Sequence, residues 1–151
     1  MRFALQSDVD AVTRLINRAF EVERFFLDRD RLNAAEVTER LEKGKFILEE
    51  NGGGLLGCVY VETRGERAYL GLLSVEPTAQ KAGLGKRLMA AAEEHCRSLG
   101  CLHMDLNVVN LRSELPGFYR SLGYVQTGTA PFPSDVVTKL PCHFLQMTKP
   151  L

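Results

Sequence analysis

The segment QKAGLGKRL, residues 80–88, places two glycines and several basic residues between an apolar run and a helical pattern. Glycines let the backbone approach a ligand closely, and the unpaired N–H groups and dipole of a helix start attract anions. Lys81, Lys86 and Arg87 add positive charge at the same place. The segment therefore predicts a phosphate site built mainly from backbone, and the alternative is a plain turn that starts a helix.

Two better-known phosphate loops do not fit this segment. A Walker A loop with its GK at residues 85–86 would need glycine at Gln80 and serine or threonine at Arg87. A Rossmann fingerprint that starts at Gly83 would need glycine at Leu88. The glycine pattern therefore predicts neither an NTPase loop nor a dinucleotide fold.

Composition limits the classes of protein to consider. The 151 residues include 19 basic and 19 acidic side chains, which is typical of one globular domain over residues 1–151 and argues against general nucleic-acid binding. We expect no membrane association and no signal peptide, because no long apolar run occurs. The four cysteines form no CxxC pair, so we expect reduced thiols in a cytoplasmic protein.

The elements that must position the segment follow from apolar periodicity. Helical spacing predicts helices over residues 7–20, 34–43, 84–99 and 113–122. Alternating or continuous apolar runs predict strands over residues 45–50, 55–63, 68–75, 103–109, 124–128 and 142–149. The helix after strand 68–75 makes a βαβ crossover, so this strand and strand 103–109 should be parallel. The predicted fold class is α/β with a mixed sheet.

Two motifs give the chain a resemblance to a known family. Gln80, Gly83 and Gly85 fit the pattern Q/R-x-x-G-x-G/A after the apolar run LLSVEPTA, and residues 118–128, FYRSLGYVQTG, resemble a Y-x-x-x-G-[FY] segment. The chain resembles the GNAT superfamily of acetyl-CoA-dependent N-acetyltransferases, and the order of elements agrees over nearly its whole length. The resemblance implies a central mixed, mostly antiparallel sheet with a splayed parallel strand pair and flanking helices.

The resemblance also implies acetyl-CoA as cosubstrate, with no metal. The pantetheine arm would lie in the splayed cleft along Leu73, Ser74 and Val75. Asn110 is a candidate for contact with this arm, although it stands nine residues before Tyr119 and common members have seven. The pyrophosphate would lie on the loop and helix start formed by Gln80, Lys81, Ala82, Gly83, Leu84, Gly85 and Lys86.

Tyr119 matches the family's tyrosine that protonates the departing CoA thiolate. A thiol has a pKa of about 8.5 and a phenol about 10, so a positioned tyrosine can give its proton to a developing thiolate. Backbone N–H groups near Leu73 would polarise the thioester carbonyl. The alternative for Tyr119 is a core aromatic residue on a short helix.

The general base is left open. Many members use a glutamate in the middle of an L-E-V triplet, where this chain has LNV and Asn107, which cannot accept a proton. Asp105 should share the face of Asn107 and is one substitute, with a solvated strand residue as its alternative. Glu62 and a chain of water molecules are the others.

The acceptor is also left open. The resemblance implies a pocket formed by residues 21–33 and 127–141, and the mixed charge of residues 21–33 defines neither an amine nor a carboxylate. The expected acceptor is a small-molecule or a peptide amine, as the resemblance implies. The function predicted is direct acetyl transfer to that amine by a monomer or homodimer. The alternatives are a CoA-binding regulatory module without turnover, which Asn107 favours, and an interaction domain without a CoA site.

Overall fold

The structure is a computed structural model that describes residues 1–79 and 83–151. Its strands are β1 Arg2–Phe3, β2 Lys45–Asn51, β3 Gly54–Arg64, β4 Arg67–Val75, β5 His103–Val109, β6 Val125–Pro131 and β7 His143–Pro150. Its α-helices are α1 Val9–Ala19, α2 Ala34–Lys43, α3 Leu84–Ser98 and α4 Leu115–Ser121. Within these two ranges, no helix combines the length and the apolar character that crossing a bilayer requires.

All seven strands form one sheet in the order β1-β2-β3-β4-β5-β7-β6. Every neighbouring pair is antiparallel except β4 and β5, which are parallel because α3 carries the chain from one to the other. The predicted fold class, a mixed and mostly antiparallel sheet with one parallel pair and flanking helices, is confirmed.

One face of the sheet packs against α1 and α2. In α1 the apolar residues Val9, Val12, Leu15 and Ile16 recur at helical spacing and are all buried. They meet side chains of the central strands, among them Phe46, Leu48, Tyr60 and Leu72.

The other face packs against α3 and α4. Leu84, Leu88, Ala92 and Cys96 form the buried stripe of α3 and join one core cluster with residues of β3, β4 and β5. Burying a leucine such as Leu88, which is 0% exposed, contributes roughly 1.5–3 kcal/mol. Helices therefore cover both faces of the sheet, and the parallel pair of β4 and β5 lies near the middle of the strand order.

Several boundaries differ from the predicted ones. The first helix was expected from Ser7, but residues 6–8 form a 3-10 turn and α1 begins at Val9. The Asp8 carboxylate accepts the backbone N–H of Leu5 at 2.7 Å and pairs with Arg2 at 2.8 Å, so it holds the chain in that turn. The two-residue strand β1, which pairs with β2, was not predicted because it is too short to show periodicity.

Candidate active site

The parallel strands β4 and β5 separate part of the way along their length. They pair only where Arg67, Ala68 and Tyr69 face His103, Met104 and Asp105. Beyond Tyr69, β4 continues to Val75 and β5 continues to Val109, but the two strands no longer pair with each other. The edge of β4 that faces β5 therefore has backbone hydrogen-bonding groups available to a ligand. The separation agrees with the splayed parallel pair that the resemblance implied.

A β-bulge distorts β4 inside this separated part. Cys58 pairs with Ser74 and Tyr60 pairs with Gly71, so Val59 opposes two residues of β4, Leu72 and Leu73. Leu72 has φ 55°, a left-handed conformation that a leucine adopts only when its surroundings impose it. A bulge takes backbone groups out of the strand ladder, and here it does so next to the gap between β4 and β5.

The three predicted pantetheine residues do not offer the same groups. The Ser74 hydroxyl donates to the Leu72 carbonyl at 2.9 Å and its side chain is buried, so only its backbone can meet a ligand. Leu73 and Val75 are half-buried and pack against the core cluster on the α3 side of the sheet.

The N-terminus of α3 lies beside this gap. Gly83 is its N-cap residue and has φ 72° and ψ 14°, the left-handed region in which a side chain is strained. Leu84 is buried, whereas Lys86 is exposed. The backbone N–H groups of the first turn of a helix have no intrahelical partner and attract anions, so this end of α3 is compatible with the predicted phosphate site. Gln80, Lys81 and Ala82 lie outside the described residues.

Helix α4 brings Tyr119 to the same region. A Cβ atom on Gly85 would lie 3.6 Å from the Phe118 ring, so α4 packs directly on the start of α3. Tyr119 belongs to the core cluster that also contains Leu84 and Val108. The described parts of the two sequence motifs thus lie close together on the α3 and α4 face of the sheet, next to the separated strands.

The hydroxyl group of Tyr119 has no hydrogen-bond partner in the described part of the chain. Only 7% of the residue is exposed. No described buried side-chain oxygen lacks a hydrogen-bond partner, so the unpaired hydroxyl oxygen of Tyr119 must be in contact with solvent-accessible space. Burial raises the pKa of Tyr119 to about 12, and nearby Arg112 opposes this rise. The phenol is therefore protonated at neutral pH and can donate a hydrogen bond to a ligand.

The side chain of Asn110 joins the ends of β5 and β7. Its Oδ1 accepts the backbone N–H of His143 at 2.9 Å, and its own backbone N–H donates to the His143 carbonyl at 2.9 Å. Only the side-chain Nδ2 group remains for another partner in the described structure.

The two segments predicted to form the acceptor pocket lie against each other. The backbone N–H of Lys139 donates to the Phe26 carbonyl at 2.8 Å. Glu23, which is 5% exposed, pairs with Arg112 at 2.9 Å, so the segment after α1 also contacts the loop before α4. Burial raises the pKa of Glu23, while Arg112 and Arg31 act in the opposite direction.

The candidate bases occupy different environments. The Asp105 carboxylate receives two hydrogen bonds of 2.7 Å from Arg67 and one of 2.6 Å from Thr148. These bonds, those of Arg67 foremost, lower the pKa of Asp105, which weakens it as a proton acceptor. Glu62 is near the end of β3 and contacts the Tyr60 hydroxyl at 3.3 Å and Arg64 at 3.2 Å.

A cavity of about 520 Å³ opens where β4 and β5 are still paired. Asp105 and Asn107 both line it, which confirms that they share a face of the sheet. Tyr69 lies on the same face, and a Cβ atom on Gly71 would be 2.8 Å from its hydroxyl oxygen. The Tyr69 hydroxyl therefore lies over β4 at the point where the strands begin to separate, a position that the sequence analysis did not single out.

Comparison with known proteins agrees with this geometry. A sequence profile described as the acetyltransferase (GNAT) family matches residues 9–124. The chain is 33% identical over 93 residues to Blasticidin-S acetyltransferase from Streptomyces morookaense, a match over 60% of this chain and 64% of that protein. It is 26% identical over 152 residues to IAA acetyltransferase from Azospirillum brasilense, a match over 94% of this chain and 92% of that protein.

Solved structures share the fold. The ribosomal-protein-S18-alanine N-acetyltransferase from Escherichia coli superposes with a TM-score of 0.79 at 16% identity, over 99% of this chain and 91% of that one. A GNAT superfamily phosphinothricin acetyltransferase from Sinorhizobium meliloti, in complex with AcCoA, superposes with a TM-score of 0.76 at 16% identity, over 99% and 86%. The resemblance inferred from the two motifs is confirmed, and the chain belongs to the acetyltransferase (GNAT) family.

Proposed function

We propose that this protein transfers an acetyl group from acetyl-CoA directly to an amine on a small molecule or a peptide in the cytoplasm. The observation that supports the proposal most is the separation of β4 from β5 after Tyr69 and Asp105, with the start of α3 at Gly83 and Tyr119 of α4 together on one face of the sheet. Membership of the GNAT family agrees with it, as does the shared fold of the Sinorhizobium acetyltransferase in complex with AcCoA.

The donor site would be built largely from backbone. The first turn of α3, from Gly83 to Lys86, has N–H groups for the pyrophosphate. The unpaired edge of β4 from Leu73 to Val75 has N–H and C=O groups for the amide bonds of the pantetheine arm. Gln80, Lys81 and Ala82 stay predictions for the same loop, and Asn110 would reach the arm only through its Nδ2 group.

Bound acetyl-CoA supplies a thioester whose carbonyl carbon forms the new C–N bond while its C–S bond breaks. Backbone N–H groups at the bulge near Leu73 would polarise the carbonyl oxygen. The Tyr119 hydroxyl would then give its proton to the leaving sulfur, and the proton released by the amine would restore the phenol through solvent.

The high pKa of Tyr119 does not prevent this proton transfer. A free thiol has a pKa of about 8.5, well below that of the buried phenol. Burial raises the pKa of a thiol too, as it does for the fully buried Cys58 on β3, whose pKa is about 12. Burial in the gap would raise the pKa of the leaving sulfur in the same direction, which reduces its difference from the pKa of Tyr119.

The proton on the amine must leave by another route. Asp105, Glu62 and water are the three candidates that we retain. The bonds from Arg67 and Thr148 to Asp105 favour one of the other two.

The test is release of free thiol from acetyl-CoA by the purified protein, followed over a panel of primary amines. Turnover above the rate without protein supports acetyl transfer. Binding of acetyl-CoA without turnover of any amine would contradict it and favour the alternative, a CoA-binding regulatory module.

A further inference from the structure

The cavity over the paired parts of β4 and β5 is lined by more basic than acidic side chains. Three arginines line it, Arg40 from α2, Arg64 from β3 and Arg67 from β4, together with a single carboxylate, Asp105. They come from three different elements that meet at this face of the sheet. The described lining is therefore positively charged, although the whole chain has a formal net charge of zero.

The single carboxylate is already occupied. Arg67 holds Asp105 through two parallel hydrogen bonds of 2.7 Å, a geometry that uses both carboxylate oxygens. Thr148 adds a third bond of 2.6 Å. The Arg67–Asp105 pair therefore cancels its own charge. Glu62, at 3.2 Å, compensates part of the charge of Arg64, and Arg40 keeps its full charge in the described structure.

Those two arginines keep donors for a ligand. In the described residues Arg40 has no ion pair, and its guanidinium carbon lies 5.2 Å from the centre of the Tyr60 ring. Arg64 stands over Tyr69 at 4.8 Å and meets Glu62 with one nitrogen only, at 3.2 Å, while 60% of its side chain is exposed. Guanidinium groups held against aromatic rings present their planar donors in a fixed orientation, which suits carboxylate and phosphate oxygens.

The cavity leads to the gap in which transfer would occur. Tyr69 and Asp105 are the last residues paired across β4 and β5, and Asn107 lies beyond that point on the same cavity wall. An acceptor could therefore place one end near Arg40 and Arg64 and the other end near Asn107, where the strands part.

We infer that the acceptor is a small amine that carries an anionic oxygen group, a carboxylate or a phosphate, bound by Arg40 and Arg64. This inference rests on the proposed acetyl transfer and names the class of acceptor that it uses. The same positive charge lowers the pKa of an amine held beside it, which favours the neutral form that attacks a thioester. An acceptor that is only a polycation would be repelled.

The experiment compares acceptors in matched pairs that differ only in the anionic group. Glycine is paired with glycinamide, phenylalanine with phenylalaninamide, and glucosamine 6-phosphate with glucosamine; spermidine represents polycations. We expect kcat/KM to be ~10- to 100-fold higher for the anionic member of at least one pair. The amino acids and the sugar phosphate distinguish a carboxylate from a phosphate ligand. Equal or better turnover of the uncharged members or of spermidine would overturn the inference, as would turnover of no anionic member.

Two variants connect this preference to the cavity. Arg40→Gln should raise KM for the preferred anionic acceptor ~10-fold or more, and it should change KM for the uncharged partner far less. Arg64→Gln should act in the same direction. Arg97→Gln, an exposed arginine of α3 that pairs with Glu94, is the matched control and should change neither. Unchanged KM in both cavity variants would overturn the assignment.

The donor measurements keep this test separate from that of the proposed function. If acetyl-CoA does not bind, the proposed acetyl transfer fails, and the inferred acceptor fails with it. If acetyl-CoA binds and is turned over only with uncharged amines, acetyl transfer stands and the anionic acceptor alone is wrong.

Discussion

The paired and separated parts of β4 and β5 are built from different chemical groups. Where the strands pair, near Arg67 and Asp105, side chains of α2 and of the five strands β3 to β7 line a charged cavity. Where they separate, from residue 70 of β4 and residue 106 of β5, the distinctive features are a bulge, a left-handed Leu72 and an open backbone edge. In the proposed enzyme, the paired part would discriminate between acceptors by charge, and the separated part would hold the amide and phosphate groups of the donor.

If the two parts act as proposed, the donor site and the acceptor site could change independently, because they are made of different chemical groups. Backbone groups are present whatever the side chain, so a donor site made of them tolerates many sequences if the bulge and the helix start persist. An acceptor site made of arginines changes its ligand with single substitutions. The variants below separate the two parts, starting with the largest expected effect.

Tyr119→Phe should have the largest effect, because it removes the proposed acid at the separated part. We expect kcat to fall ~10²- to 10⁴-fold, while the Kd of acetyl-CoA changes little. Thiol-release kinetics and calorimetry measure the two quantities.

Tyr124→Phe is the matched control for Tyr119→Phe. The Tyr124 hydroxyl donates to the buried Glu93 carboxylate at 2.9 Å, and the Tyr124 ring packs edge-on against the Tyr119 ring with centroids 5.9 Å apart. Its loss should lower stability by ~1–3 kcal/mol and leave kcat within a few-fold of the wild type. Similar kcat values for Tyr119→Phe and the wild type would contradict the role of Tyr119.

Gly83→Val should weaken acetyl-CoA binding by roughly 100-fold, because a β-branched residue is strained at φ 72° and would displace the helix start. Gly100→Val is the control at the opposite end of α3. Gly100 has φ 89° and open space around it, so the backbone strain is similar but the donor site is remote. Calorimetry should show a normal Kd for Gly100→Val. Equal weakening by both variants would mean that the loss reflects general instability of α3.

Asp105→Asn tests the paired part. We expect kcat to fall by less than ~10-fold, because the Arg67 guanidinium lowers the pKa of Asp105 and leaves it a weak base. Glu62→Gln, measured in parallel, tests the other carboxylate. A 100-fold loss of kcat in either variant would identify that residue as the general base, and for Asp105 it would contradict the expectation.

The pH dependence of kcat should show the smallest effect. An acid must be protonated to act, so activity depending on Tyr119 is lost only as pH rises through its pKa of about 12. We expect no descending limb below pH ~10.5, since an ordinary phenol would titrate near ~10 and this one is buried. A limb centred near pH 10 in the folded protein would show that Tyr119 is more exposed during turnover than in this structure.

Much of the fold could be predicted from the sequence because its helices and long strands have clear periodicity. The parallel pairing of β4 with β5 was predicted from a βαβ crossover. The crossover itself followed from the apolar run of β4 and the apolar stripe of α3 from Leu84 to Cys96. The position of β7 between β5 and β6 could not be predicted, because strand order depends on contacts between residues far apart in sequence.

The proposed donor site has a stronger sequence signal than the proposed acceptor cavity. Its residues fall in two local motifs, around Gly83 and Tyr119, which can be recognised in the sequence. The cavity joins Arg40, Arg64 and Arg67 from three elements, and no local pattern connects them. The bulge at Leu72 could not be predicted either, because leucine has no preference for the left-handed conformation found there.

The most direct test of the central claim is calorimetry of the purified protein with acetyl-CoA, free CoA and ATP. The separated strands and the start of α3 should bind acetyl-CoA and CoA with micromolar Kd values, and ATP should not bind, since it has no pantetheine arm to lie along β4. Failure of both CoA species to bind would contradict the account and leave residues 80–88 as a turn that starts a helix.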